Sequence, residues 1–419
     1  MNLYRRIRRG ASIVVVGVVS ACSGTTEPKP ATPPTTLTQL PRELTVGERQ
    51  VLRAGNEFSL ALFRQLAKVQ PNKNVFMSPL SASMALGMTM NGARGTTLDA
   101  MRTTLGVGTA DLQQINAGYK GLIDLLRGLD PSTTFQLANA IWYRNEFPVR
   151  QEFIDAVKAA FNAEVRGLNF NDLNSLSVIN GWVSSNTQGK IPKILEFISP
   201  DDQMYLMNAI YFKASWRTRF DPALTRPGTF RASGGTTQTV NMMRRDPMPG
   251  VLNRVFSMPH LYTAELGYGN DAFAMTILLP ERGANVDSVA AALTTDKWNE
   301  ITAMLDGSAG TVLGVTLPKF SLTYERTLNE DLAALGMGIA FGGGADFSGL
   351  SPASVSISYV KQKAFVDVNE AGTEAAAVTN VAIAASTPPS LDIDRPFIFV
   401  IRDRLSGTIL FMGKMNSIP

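Results

Sequence analysis

One imidazole and one thiol, His260 and Cys22, are the only such groups in this 419-residue chain. A Ser-His-Asp or Cys-His mechanism needs a base within reach of its nucleophile, so either would have to run through His260. Its setting, Ser257-Met258-Pro259-His260, reads as a surface or structural position. Ser358-Tyr359-Val360-Lys361 has the S-x-x-K spacing of serine/lysine acyl transfer. Yet those residues lie in a strand-like run, and the K-T-G and S-D-N partners of that chemistry are absent. There is no G-x-S-x-G elbow, zinc spacing, P-loop or dinucleotide glycine fingerprint. The chain reads as a non-enzyme, with no catalytic residues, metal or cofactor.

Cys22 suits a different chemistry. Arg5, Arg6, Arg8 and Arg9 precede the apolar run Ile13 to Val19, and Val19-Ser20-Ala21-Cys22 then has the small residues and cysteine of a lipoprotein signal-peptidase site. The run is too short to span a bilayer, so acyl chains on Cys22 would supply the anchor. Residues 1–21 therefore read as a lipoprotein signal peptide and 22–43, Thr- and Pro-rich, as an extended tether. Residues 44–419 read as one domain of an exported protein, lipid-anchored to the cell envelope. The leader also accounts for the formal charge of +4: without its four arginines, 35 basic residues face 35 acidic ones. No nucleic-acid partner is expected, and no basic cluster suggests a heparin-like cofactor.

A composition 45% hydrophobic and 18% charged excludes a disordered chain and supports a large core. Val51, Ala54, Phe58, Leu62, Leu66 and Val69 predict a long amphipathic helix ending before Pro71. Shorter helices are predicted over Ser81–Asn91, Leu98–Leu105 with Thr97 as N-cap, and Arg150–Phe161. Strand-like runs cover Phe135–Tyr143, Met204–Phe212, Phe273–Leu279, Val312–Phe320, Val355–Val368, Phe397–Ile401 and Ile409–Met412. Helices concentrated in the first half and strands in the second predict an α+β fold with large, mostly antiparallel sheets.

One segment is unusual. Thr373, Ala375, Ala377, Thr379, Val381 and Ile383 are small or apolar at period two, while Glu374 and Asn380 fall on the other face, and 380–387 carries no charge. This is the pattern of a half-buried strand. It can pair beside the preceding strand only if Gly372 supplies the reversal; unpaired, it is an exposed edge prone to aggregation. A sequence compatible with both states suggests a conformational switch.

Strings along the chain then resemble one family. They are Asn74-Val75-Phe76-Met77-Ser78-Pro79-Leu80-Ser81, Asn180-Gly181-Trp182-Val183, Thr187-Gln188-Gly189-Lys190-Ile191 and Asn208 through Trp216. Leu317-Pro318-Lys319-Phe320, Ala345-Asp346-Phe347-Ser348-Gly349, Glu370 to Thr379, Asp394-Arg395-Pro396-Phe397 and Phe411-Met412-Gly413-Lys414 follow in order. From Leu44 to Pro419 the chain resembles the serpins, serine-protease inhibitors of the conformational-trap type.

The resemblance implies a suicide substrate whose exposed reactive-centre loop, about 370–391, is cut by a serine protease and inserts into the central sheet with the acylated enzyme attached. Its hinge would be Glu370, Gly372, Thr373, Glu374, Ala375, Ala376, Ala377, Val378 and Thr379. Ser78, Ser81 and Asn208 resemble the polar cluster where the sheet parts, and Trp216 the tryptophan where the loop enters. Gln362 stands where the family often has histidine, so an imidazole's pH dependence should be missing there. Spacing from Glu370 places the scissile bond at Ser386-Thr387; spacing back from Arg395-Pro396-Phe397 favours Ala385-Ser386. Either favours a protease with a small or apolar primary pocket, elastase-like or subtilisin-like, held by a monomeric inhibitor in a covalent 1:1 complex. The alternative is a non-inhibitory serpin-fold binding protein, whose hinge would carry bulky or charged residues.

Overall fold

The computed structural model describes residues 34–373 and 390–419. Helix α1 (Val46–Val69) opens on a capping box, in which Thr45 Oγ1 accepts from Glu48 N and the Glu48 carboxylate accepts from Thr45 N. Its buried stripe contains Val51, Ala54, Phe58, Leu62 and Leu66, as the periodicity predicts. Helix α2 (Pro79–Met90) starts two residues before the predicted Ser81, because Ser78 caps it and Pro79 fits the first turn. Helix α3 (Gly95–Leu105) corrects the N-cap assignment. Arg94 occupies that position, and Thr97 is buried, accepting from Asp346 N at 2.8 Å.

Helices α4 (Leu112–Gly128), α5 (Gln151–Phe161), α6 (Leu173–Asn186), α7 (Val286–Ala292) and α8 (Thr295–Asp306) follow. Of these only α5 is expected from the sequence. Helix α6 buries just Ser175, Ile179 and Val183, a stripe too thin to read as periodicity. In α4, Gly118 interrupts the apolar pattern because α1 packs against it: a Cβ there would lie 2.5 Å from Gly47 O.

The strands begin with β1 (Val75–Met77), β2 (Thr134–Arg144), β3 (Glu164–Leu168), β4 (Met204–Ser215), β5 (Asp221–Arg231), β6 (Thr237–Arg245), β7 (Arg254–Met258) and β8 (Leu261–Gly267). They continue with β9 (Phe273–Pro280), β10 (Gly314–Pro318), β11 (Phe320–Thr327), β12 (Lys361–Val368), β13 (Gly372–Thr373), β14 (Ser390–Asp392), β15 (Phe397–Asp403) and β16 (Ile409–Met415). Among the described residues the ladders run β1-β16-β15-β9-β8-β7, β14-β10-β6-β5, β13-β4-β2-β3 and β11-β12. All pairs are antiparallel except β2 with β3 and β10 with β14. The expected α+β fold with large, mostly antiparallel sheets is the one observed.

Two strand boundaries differ from the sequence reading. The run Val312–Phe320 is two strands, broken at Lys319 after Pro318, which has no N–H to give. The run Val355–Val368 is a strand only from Lys361; residues 355–360 are irregular and line a cavity of about 290 Å³ with Leu86, Phe147, Met204 and Leu206. Residues 34–43, read from sequence as tether, lie against the body. Leu37 N donates to Asn270 O at 2.8 Å, Leu37 and Leu40 pack on the core, and Arg42 pairs with Glu48 at 2.6 Å.

Candidate functional site

Gly372 supplies the expected reversal, but the returning strand pairs with β4 and not with the preceding strand β12, which it meets only through the Asn369–Gly372 bridge. Gly372 turns the chain after β12 at φ +147°, and Asn369 and Gly372 exchange backbone hydrogen bonds of 3.0 and 3.2 Å. It then pairs with Ser215 as Thr373 pairs with Ala214, so the chain returns antiparallel to β4. A Cβ on Gly372 would lie 2.2 Å from Ala214 O, which makes glycine obligatory on space as well as on conformation.

Four side chains, Trp216, Tyr268, Thr225 and Lys319, hold this turn. Trp216, buried, receives Ala371 and Asn369 as partners: its backbone N donates to Ala371 O and its Nε1 to Asn369 O, both at 2.9 Å. Its ring stacks on Tyr268 with centroids 4.5 Å apart. The Tyr268 hydroxyl meets Thr373 Oγ1 at 3.2 Å, and burial pushes the phenol well above its ordinary range despite that bond, so it stays neutral. Glu370 accepts from Thr225 Oγ1 and pairs with Lys319 Nζ, both at 2.9 Å, while its carbonyl accepts from Phe220 N. Burial alone would raise the Glu370 carboxyl, but the Lys319 and Thr225 bonds leave it below the usual range.

Below the turn the central sheet is divided. Among the described residues β4 belongs to one ladder and β12 to another, with no pairing between them. Ser78 Oγ donates to Leu410 O at 2.9 Å and accepts from Ser81 N, and Gln362 Nε2 donates to Ser78 O at 2.7 Å. On the other side Asn208 Nδ2 donates to Asn139 Oδ1 at 2.6 Å. Two acceptors are left buried without a hydrogen-bond partner, Asn208 Oδ1 on β4 and Gln362 Oε1 on β12. Such groups are costly unless something donates to them.

The structure thus brings Ser78, Ser81 and Gln362 together, places Asn208 across the division, and puts Trp216, Glu370, Gly372 and Thr373 in one cluster. Glu374, Ala375, Ala376, Ala377, Val378, Thr379, Ala385, Ser386, Thr387 and Cys22 lie outside the described residues. Tyr268, Lys319, Thr225 and Asn139 are absent from the sequence reading of the site. Lys319 lies in the Leu317–Phe320 string, but nothing local marks Tyr268, Thr225 or Asn139, which only non-local pairing brings there. His260 is an exposed turn residue at φ +65° beside Glu281, and Lys361 pairs with Glu325 rather than with Ser358.

Comparison with known proteins agrees with this geometry. The family model described as Serpin (serine protease inhibitor) matches residues 53–418. Iripin-2 of Ixodes ricinus is 34% identical over 380 residues, covering 88% of this chain and 94% of its own. The leukocyte elastase inhibitor of Sus scrofa is 35% identical over 382 residues, 88% of this chain and 99% of its own. The crystal structure of a thermophilic serpin, tengpin, in the native state superposes with a TM-score of 0.79 at 31% identity, covering 90% of this chain and 96% of that one. With the family model matching residues 53–418 and these relatives covering most of the chain, the protein belongs to the serpin family of serine protease inhibitors.

Proposed function

We propose that this serpin acts as a suicide substrate: a serine protease cuts the loop near Ser386, and the cut loop adds to the sheet between β4 and β12 before the acyl-enzyme hydrolyses. The register at the hinge supports this reading. Thr373 pairs with Ala214, and six residues further along the antiparallel strands Thr379 comes level with Asn208. Counted instead from the Asn369–Gly372 bridge, seven residues along each arm, Thr379 comes level with Gln362. Both counts put one hydroxyl between the two unpartnered acceptors. The small or apolar residues Ala375, Ala377, Val381 and Ile383 then share the face of Phe212, Ile210, Leu206 and Met204, which pack on the main core.

The same register carries Ser386 past the start of β4, a travel of roughly 46 Å for a 14-residue strand at about 3.3 Å per residue. A protease acylated there would be drawn to the opposite end of the molecule. Small residues at Ala385, Ser386 and Thr387 favour elastase-like or subtilisin-like targets, and the relative named leukocyte elastase inhibitor supports that direction. A lipid on Cys22, export to the cell envelope and a monomeric 1:1 complex belong to the same proposal and rest on the sequence alone. Incubating the chain with pancreatic elastase and with subtilisin tests it. A band at the summed mass that survives boiling in detergent is expected; clean cleavage without that band, at every ratio, would make the protein a substrate and not a trap.

A further inference from the structure

We propose that the pocket between the β5–β6 turn and the β9–α7 loop binds a doubly charged oxyanion, a phosphate or sulfate group, through Arg231, Arg282 and Arg395. The pocket, about 730 Å³, is lined by these three guanidiniums and by no acidic side chain. The three residues are far apart in sequence, which is why no basic cluster stands out there.

Asp394 lies behind them and fixes their orientation. Arg282 Nη2 donates to its Oδ2 at 2.8 Å, Arg395 Nη1 to its Oδ1 at 3.1 Å, and Arg231 Nη1 also to Oδ2. One carboxylate is shared by three guanidiniums, so it does not saturate their donors. Other acids near the cluster have their own contacts: Asp287 with Lys414 Nζ and Asn72 N, Glu281 with His260, and Asp392 with Ser390 Oγ. Arg231 and Arg282 keep 55% and 60% of their side chains exposed, leaving guanidinium donors of the kind that suits tetrahedral oxyanions, while Arg395 is largely buried, its Nε donating to Pro280 O at 2.7 Å.

The walls are shaped for access. Gly234, Gly235 and Gly283 stand at φ +79°, +82° and +88° with open space where a Cβ would be, so no side chain covers the arginines. Asn72, Ser233 and Asn285 add neutral polar groups at the rim. An anion seated here would brace the chain between β14 and β15, where Arg231 N already donates to Asp394 O at 2.8 Å. The site stands apart from the hinge and does not rest on the trapping mechanism.

Titration calorimetry of the intact chain with inorganic phosphate, inorganic sulfate and a saccharide sulfate ester tests the proposal. Saturable 1:1 binding is expected, weakened about tenfold for each guanidinium removed in Arg231→Gln and Arg282→Gln. Both variants should keep the parent circular dichroism spectrum; if the double variant does not fold, the Arg282→Gln single variant decides. Tighter binding of the ester than of the free ions would support the site and assign it to a sulfated saccharide, whereas equal affinity would support it for free oxyanions. No saturable heat with any probe, or affinity unchanged by both substitutions, would overturn it.

Discussion

The hydroxyls of Tyr268 and Thr373 meet at 3.2 Å in a buried contact, tying a hinge residue to the ring stacked on Trp216. Removing only that hydroxyl, in Tyr268→Phe, keeps the stack and is expected to destabilise the resting fold by about 1 kcal/mol. Urea unfolding measures the loss. An unchanged midpoint would show that Thr373 is held by its backbone pairing alone.

Glu370 is held by Lys319 on one side and Thr225 on the other. Lys319→Met is expected to destabilise by about 1 kcal/mol at neutral pH, since Lys319 is part-exposed. The sign with pH follows from the Glu370 carboxyl lying below its ordinary range. Its contribution is full above the unfolded-state value near about 4.3 and fades as pH falls through the lower folded value. Stability of the parent should therefore fall more steeply than that of Lys319→Met below about pH 5. Parallel curves would contradict the assignment.

Gly372 admits no side chain, because a Cβ would overlap Ala214 O. Gly372→Val should expel the hinge from its pairing with β4, at a cost of about 1–3 kcal/mol. Trp216, which bonds to Ala371 and Asn369, would report this as a red-shifted emission. Inhibition should give way to substrate behaviour, read as a rising ratio of inhibitor consumed per protease inactivated. Parent emission and an unchanged ratio would show the hinge tolerating the side chain.

Thr379→Val keeps the volume and removes the hydroxyl expected between Asn208 and Gln362. The inserted state should lose about 1 kcal/mol, and Thr379→Arg should block insertion because a charge would be buried without a partner. Thermal unfolding of the loop-cleaved protein separates the two, with a small drop for valine and no cleavage-induced rise for arginine. A full rise in the arginine variant would contradict insertion at this level.

Ser386→Arg should redirect recognition toward trypsin-like proteases, whose primary pocket takes a cation. A panel of purified proteases reads the change; unchanged specificity would reject the Ser386-Thr387 register in favour of Ala385-Ser386.

Much of the fold is readable where periodicity is strong. The stripe on α1 and the buried runs of β2, β4, β9, β15 and β16 stand out because each presents a continuous apolar face. Strand β5 does not, since Pro222 and Pro227 interrupt it and most of its residues are half-buried or exposed. Thr97 has the chemistry of an N-cap but faces Asp346 instead, a tertiary contact that no local rule reveals. At the site, Gly372 and the period-two pattern after it are visible in sequence because backbone reversal and half-burial leave local marks. Tyr268 and Asn139 carry no such mark, and neither do the unpartnered oxygens of Asn208 and Gln362, which become significant only once β4 and β12 are placed.

Insertion in this register sets Thr379 opposite Asn208, and a cysteine pair tests that placement directly. With Cys22→Ser removing the native thiol, Asn208→Cys and Thr379→Cys would face each other in the inserted strand at a Cα separation of about 4.5–5.5 Å, within disulfide range. Oxidation is expected to cross-link the pair after loop cleavage and far less before it. No cross-link after cleavage, or a better one from Asn380→Cys than from Thr379→Cys, would contradict it.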